Sequence, residues 1–167
     1  FWYAGSPDPD ASSRSFLHLP DGQHLVMGFL NGEATAWVGS ESQWSAIPLP
    51  IQGGNLHALD VDANGNMYGQ FPLANGTDQL LRIAPDGSVK TILKTGQSIA
   101  AFAVIGDALL ASREGHDTVI SFDSGETWDP WDERVFDCII ERDGDIWACP
   151  IEDNAALWTR SSNSLSD

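Results

Sequence analysis

Short apolar runs separated by polar-glycine turns recur along the chain, and no stretch of about 10 or more residues carries helical periodicity. Asp21-Gly22 leads to Leu25-Val26-Met27-Gly28, and Asn64-Gly65 leads to Met67-Tyr68-Gly69. Gly106-Asp107 leads to Ala108-Leu109-Leu110-Ala111, and Asp143-Gly144 leads to Ile146-Trp147-Ala148-Cys149. The four glycines stand at 22, 65, 106 and 144, in steps of 43, 41 and 38 residues. Asn-Gly and Asp-Gly supply the positive φ that a tight hairpin demands, so each turn predicts the first hairpin of a repeat.

A second hairpin follows in every unit. Ala36-Trp37-Val38 turns into Trp44-Ser45-Ala46-Ile47, and Leu80 to Ile83 turns through Pro85-Asp86-Gly87 into Val89 to Ile92. Val119 to Phe122 turns into Thr127-Trp128, and Ala156-Leu157-Trp158-Thr159 enters a Ser/Asn-rich turn. Four short strands per roughly 40 residues predict an all-β chain, a β-propeller of four-stranded antiparallel blades with about four blades. The expected repeats are 16–55, 56–98, 99–135 and 136–167, in one domain covering 1–167. Phe1-Trp2-Tyr3-Ala4, within residues 1–5, either supplies the outer strand that closes blade four or ends an earlier blade of a larger propeller. Pro7-Asp8-Pro9-Asp10 reads as a loop, because closely spaced prolines cannot both sit inside a paired strand.

Ser121-Phe122-Asp123-Ser124-Gly125-Glu126-Thr127-Trp128 matches the pattern Ser-x-Asp-x-Gly-x-Thr-Trp at each defining position. On this motif the chain resembles the Asp-box (BNR) repeat β-propellers, a group that includes sialidases and non-enzymatic secreted propellers. Gly39 to Trp44 is a degenerate relative of the motif, and Pro85-Asp86-Gly87 departs from it. Asp123 is expected to accept backbone hydrogen bonds within its own turn, with Ser121 and Thr127 as further turn residues. Gly125 permits a conformation that a β-carbon penalises, and Trp128 buries apolar surface. The resemblance places this box away from the ligand face, so its role is structural.

Composition narrows the partners. The 167 residues include 8 Lys plus Arg against 24 Asp plus Glu, a formal charge of −16, so nucleic acid and anionic membranes are poor partners. No apolar run approaches the roughly 18 residues of a membrane helix. A chain that opens at Phe1 is expected to be a processed product, a fragment or a trimmed segment.

Cys138 and Cys149 flank the Asp143-Gly144 turn, and pairing 142 with 145 places them opposite each other. A cross-strand disulfide is the favoured reading, and with it an extracellular, cell-surface or periplasmic location; two buried thiols are the alternative. Asp60-Val61-Asp62-Ala63-Asn64-Gly65 matches half of a calcium loop, but Phe71 stands where a bidentate Glu belongs, so a polar hairpin turn is expected. Asn75-Gly76-Thr77 is a glycosylation sequon.

In the propellers this chain resembles, the ligand face is built from loops joining strands two to three and four to one. Those loops carry Glu33, Asp78, Glu114, Asp117, Glu152 and Asp153, with Arg113, Arg134 and His116 as the cationic candidates. The candidate ligand-binding residues are Glu33, Asp78, Arg113, His116, Asp117, Trp131 and Glu152. Trp131, beside Asp132 and Glu133, is the best candidate for an exposed aromatic platform. Sialidases hold their substrate with three arginines and a Tyr-Glu pair; only Arg113 and Arg134 fall in mouth loops, and Tyr3 and Tyr68 do not. Nucleophile and phosphate-loop motifs are absent, and neither Cys reads as a metal ligand, because no second Cys or His pair has the expected spacing. The expectation is a secreted or cell-surface binding module without catalysis, metal or cofactor, recognising a protein or glycan. A glycosidase- or lactonase-type hydrolase using mouth carboxylates is the enzymatic alternative. A structural part of a larger assembly, with a dimer or partner chain completing the propeller, is the third.

Overall fold

The computed structural model describes residues 12–19, 21–40, 43–52, 56–73, 77–151, 157–162 and 165. Among them lie fifteen β-strands and no α-helix. The first sheet is a meander of β1 (Ser12–His18), β2 (His24–Leu30), β3 (Glu33–Ser40) and β4 (Gln43–Gln52). The second runs β5 (His57–Val61), β6 (Met67–Pro72), β7 (Asp78–Ile83) and β8 (Val89–Lys94). The third runs β9 (Ile99–Ile105), β10 (Ala108–Arg113), β11 (Thr118–Ser121) and β12 (Asp129–Asp132). The fourth has three described strands, β13 (Phe136–Arg142), β14 (Asp145–Pro150) and β15 (Trp158–Ser161). All-β, antiparallel and propeller-like describes the architecture. The chain divides into two compact units, residues 1–74 with 79–91, and residues 75–78 with 92–167.

Each of the four glycine turns joins the first two strands of its sheet, as the spacing predicts. At Asp143-Gly144 both residues adopt positive φ, 56° and 82°, the mirror-image turn whose twist matches its strands. The turns at 19–23, 62–66 and 84–88 are wider and share one pattern. In each, the first N–H donates to the fifth carbonyl and the glycine N–H donates to the first carbonyl.

Strand alternation fills one core per unit. The first gathers Leu25, Met27, Ala36, Leu56, Met67, Leu81 and Ile83, all buried. The second gathers Ala103, Ile105, Leu110, Ile120, Phe136, Ile139, Ile146 and Ala148. β14 shows the rule clearly: Ile146 and Ala148 point inward while Asp145 and Trp147 face away. β10 is buried from Ala108 to Ser112, which is why its sequence is apolar without alternation.

Three boundaries differ from the sequence expectation. β1 begins at Ser12, ahead of residue 16. β15 begins at Trp158, after Leu157. The last strand of the third sheet is Asp129–Asp132 and not Thr127-Trp128. There the hydrogen bonds that bind Thr127 to Asp123 extend the turn through Trp128 and delay pairing. The proposed closing strand Phe1 to Ala4, the loop Pro7 to Asp10, Asn75-Gly76 and residues 152–156 lie outside the described residues.

Candidate functional site

In the unit formed by residues 75–78 and 92–167, two connections and the end of a third strand converge. The β10–β11 loop contributes Glu114, Gly115 and His116, and the β12–β13 connection contributes Glu133, Arg134 and Val135. Pro150 and Ile151, at the end of β14, complete the wall of a cleft of about 500 Å3. The lining mixes charged and apolar residues, and Ile151 is 44% exposed.

Local bonds hold each loop. Arg113 N–H donates to the Asp117 carbonyl at 2.9 Å, and His116 N–H donates to the Arg113 carbonyl at 3.1 Å. The Arg113 guanidinium also grips the Asp117 carboxylate, donating from Nε at 2.9 Å and forming an ion pair through its Nη2. This pair braces the base of the loop, leaving His116 exposed at the cleft. Glu114 N–H donates to the Ser98 carbonyl, fastening the loop to the β8–β9 connection.

Arg134 is held more tightly. Its Nε and Nη2 donate to the two Asp132 carboxylate oxygens at 2.9 and 2.7 Å, and its backbone N–H donates to the first of these. Burial opposes charge on Asp132, but the Arg134 hydrogen bonds prevail and hold the carboxyl below the usual carboxylate range. The guanidinium lies over Trp158, 5.0 Å from the ring centroid, and over Phe136 at 5.6 Å. Its carbonyl accepts the Thr118 hydroxyl, and Ile151 N–H donates to the Val135 carbonyl. This part of the cleft lining is therefore braced by paired backbone and by an arginine that is ion-paired and stacked.

The other candidates take separate places. Asp78 is 3% exposed and its carboxylate accepts the Ile99 N–H at 2.9 Å, so it ties β7 to β9. Glu33 is exposed at the start of β3, in the other unit. Glu152 lies outside the described residues. Trp131 corrects an expectation. It is half-buried, edge-on to Trp158 at 5.2 Å, beneath the Arg160 guanidinium and near Phe136. Its large apolar surface finds aromatic neighbours within the unit, and it packs partly buried against the second core. Sequence reasoning missed Val135, Pro150 and Ile151; an apolar residue just beyond a strand end, at Ile151, was the available signal.

The Ser121–Trp128 turn forms a closed set of bonds. Ser121 Oγ donates to Asp123 Oδ1 and accepts the Gly125 N–H, both at 2.8 Å. Asp123 accepts the Thr127 N–H at 2.9 Å and its hydroxyl at 2.6 Å. The Trp128 indole donates to the Ile92 carbonyl at 2.8 Å. Cys138 and Cys149 are direct cross-strand partners joined by a disulfide. In the first unit, Asp62 accepts from Asn64 N, Asn66 N, Asn66 Nδ2 and the Tyr68 hydroxyl, so its carboxylate organises its own hairpin.

No family model matches the chain, and no curated protein matches it by sequence. Solved structures do resemble it. The computationally designed Ika4 protein superposes with a TM-score of 0.63 at 9% identity, over 95% of this chain and 97% of that one. The extracellular domain of BT4673 from B. thetaiotaomicron gives 0.60 at 18% identity, over 90% of this chain. A catalytically inactive histidine-to-alanine variant of virginiamycin B lyase from Staphylococcus aureus, with quinupristin, gives 0.59 at 12% identity, over 94% of this chain. The likeness is one of fold. The chain spans 22% of the BT4673 chain and 58% of the lyase. No helix among the described residues is long and apolar enough to cross a membrane.

Proposed function

We propose that the sheets are blades of an Asp-box-type β-propeller in a secreted, cell-surface or periplasmic protein, and that the module binds a protein or glycan without catalysis. The observation that carries this reading is the convergence of the β10–β11 loop, the β12–β13 connection and the end of β14 around one cleft. Its mixed wall suits recognition, with His116, Glu114 and Glu133 for polar groups and Ile151 for an apolar one. Arg134 is already paired with Asp132 and stacked on Trp158, so it shapes the cleft and does not serve as a free cation. The disulfide and the likeness to the extracellular domain of BT4673 support an oxidising compartment.

Glycan-array and peptide-library screens on the full chain test this. Saturable binding that weakens on His116→Ala and Glu133→Ala is the expected result. Binding untouched by either substitution would remove the cleft from consideration. Native mass spectrometry of the same sample reads the assembly: a dimer or heavier complex would place the chain as part of a larger propeller.

One observation favours a second reading, hydrolase- or lyase-type chemistry in the cleft. His116 stands with two carboxylates on the cleft wall, and a fold neighbour is a lyase whose histidine variant is inactive. Turnover on a glycoside and lactone panel, abolished by His116→Ala, would establish it over the binding-only reading.

A further inference from the structure

The end of β1 and the start of β2 set two imidazoles side by side. His18 and His24 are direct cross-strand partners on either side of the turn, with ring centroids 4.6 Å apart and planes at 75°. The same transverse row continues through Gly39, opposite His24, to Trp44, opposite Gly39. With no side chain at Gly39, the Trp44 ring comes within 6.4 Å of His24, centroid to centroid. Phe16 lies 5.0 Å from His18 and 4.9 Å from His24. His18 is exposed and His24 half-buried. The Nδ1 of His24 is buried with no hydrogen-bond partner among the described residues.

We propose that His18 and His24 form a transition-metal site that takes Cu2+ in preference to Ni2+ or Zn2+, with water completing the coordination. Directly opposed residues hold their Cβ atoms about 4.5–5.5 Å apart. From there, rotation about two side-chain torsions brings one nitrogen of each ring to a shared point about 2 Å from both. The paired strands fix the two backbones, so only side-chain torsions need ordering. Imidazole suits copper, nickel and zinc, and intrinsic affinity among these divalent ions peaks at copper. The Nδ1 of His24 is committed to no hydrogen bond among the described residues, and rotation of the ring selects which of its two nitrogens faces His18. The acidic chain also concentrates cations near its surface. Among the described residues no group of three or more His, Cys, Asp or Glu side chains is arranged to hold a metal, so this site is a two-imidazole clamp.

Titration of the full chain, free of any affinity tag, with Cu2+ tests this by calorimetry, tryptophan fluorescence and electron paramagnetic resonance. Saturation at one Cu2+ per chain is expected, with quenching of tryptophan emission and nitrogen hyperfine structure from two imidazoles. His18→Ala, at an exposed position, should weaken binding about tenfold or more and reduce the nitrogen count to one. His24→Gln should do the same, with circular dichroism confirming the fold, and His57→Ala should leave the signal unchanged. Binding that survives both His18→Ala and His24→Gln, or that is lost on His57→Ala, would overturn the assignment. So would the absence of saturable binding.

Discussion

The Asp123 carboxylate holds Thr127 twice, accepting its backbone N–H at 2.9 Å and its hydroxyl at 2.6 Å. These bonds, with those from Ser121 and the Glu126 backbone, draw the Asp123 carboxyl down to about 2. Backbone bonding from Ser88 likewise lowers Asp86, and Arg134 lowers Asp132 against the effect of burial. A carboxyl whose folded pKa lies below its unfolded value contributes stability above the unfolded pKa and loses it as pH falls through the folded one. Melting temperature should therefore hold down to about pH 4 and drop toward pH 2. Asp123→Asn should flatten that drop. At the alkaline end, burial first and the Asp62 charge second push the Tyr68 hydroxyl well above its usual range. Its contribution is complete below about pH 10 and is lost above that, so Tyr68→Phe should flatten the alkaline limb of the same melting series.

The turn that Asp123 organises also depends on a glycine. Gly125 has φ +88°, and a β-carbon there would meet Ile92 Cβ and Cδ1 at 2.7 Å. Gly125→Ala combines backbone strain with overpacking and should cost about 2–4 kcal/mol in denaturant unfolding. Ile92→Val in the same chain should recover part of the loss by withdrawing the Cδ1 contact.

The cross-link between Cys138 and Cys149 spans a sequence separation of 11 residues. Closing so short a loop restricts the unfolded chain modestly, by about 2–3 kcal/mol. Replacing both cysteines with serine should lower stability by that amount while leaving the β-rich circular dichroism spectrum intact. A loss of the spectrum would mean that the β13–β14 hairpin needs the bond in order to pair.

The hairpins were legible because their requirements are local. Asp143-Gly144 must bend through positive φ wherever it stands, and that turn alone fixes Cys138 opposite Cys149. The Asp123 turn is local in the same way, since the bonds among Ser121, Asp123, Gly125 and Thr127 stay within the turn, and only the Trp128 indole reaches beyond it. Asp78 was not, because a loop carboxylate and a buried strand tie look identical until Ile99 is brought to it. Trp131 failed in the opposite direction. Flanking Asp132 and Glu133 suggested exposure, yet Asp132 turns to Arg134 and the indole meets Phe136 at the start of β13 and Trp158 on β15. The cleft was half legible: its loops follow from strand order, but the apolar wall depends on where β14 ends.

Trp128 and Trp131 lie close in sequence and should answer one substitution differently. The Trp128 indole donates to the Ile92 carbonyl, so Trp128→Phe loses a hydrogen bond that ties the turn to β8. A cost of about 1–3 kcal/mol is expected. The Trp131 indole nitrogen is buried with no hydrogen-bond partner among the described residues. Trp131→Phe removes an unsatisfied donor while keeping an aromatic ring against Phe136 and Trp158. The relief offsets part of the lost packing, so the net change should stay within about 1 kcal/mol. Denaturant unfolding of the two variants side by side checks this. Equal losses would mean that ring volume decides both positions and that the Ile92 bond contributes little.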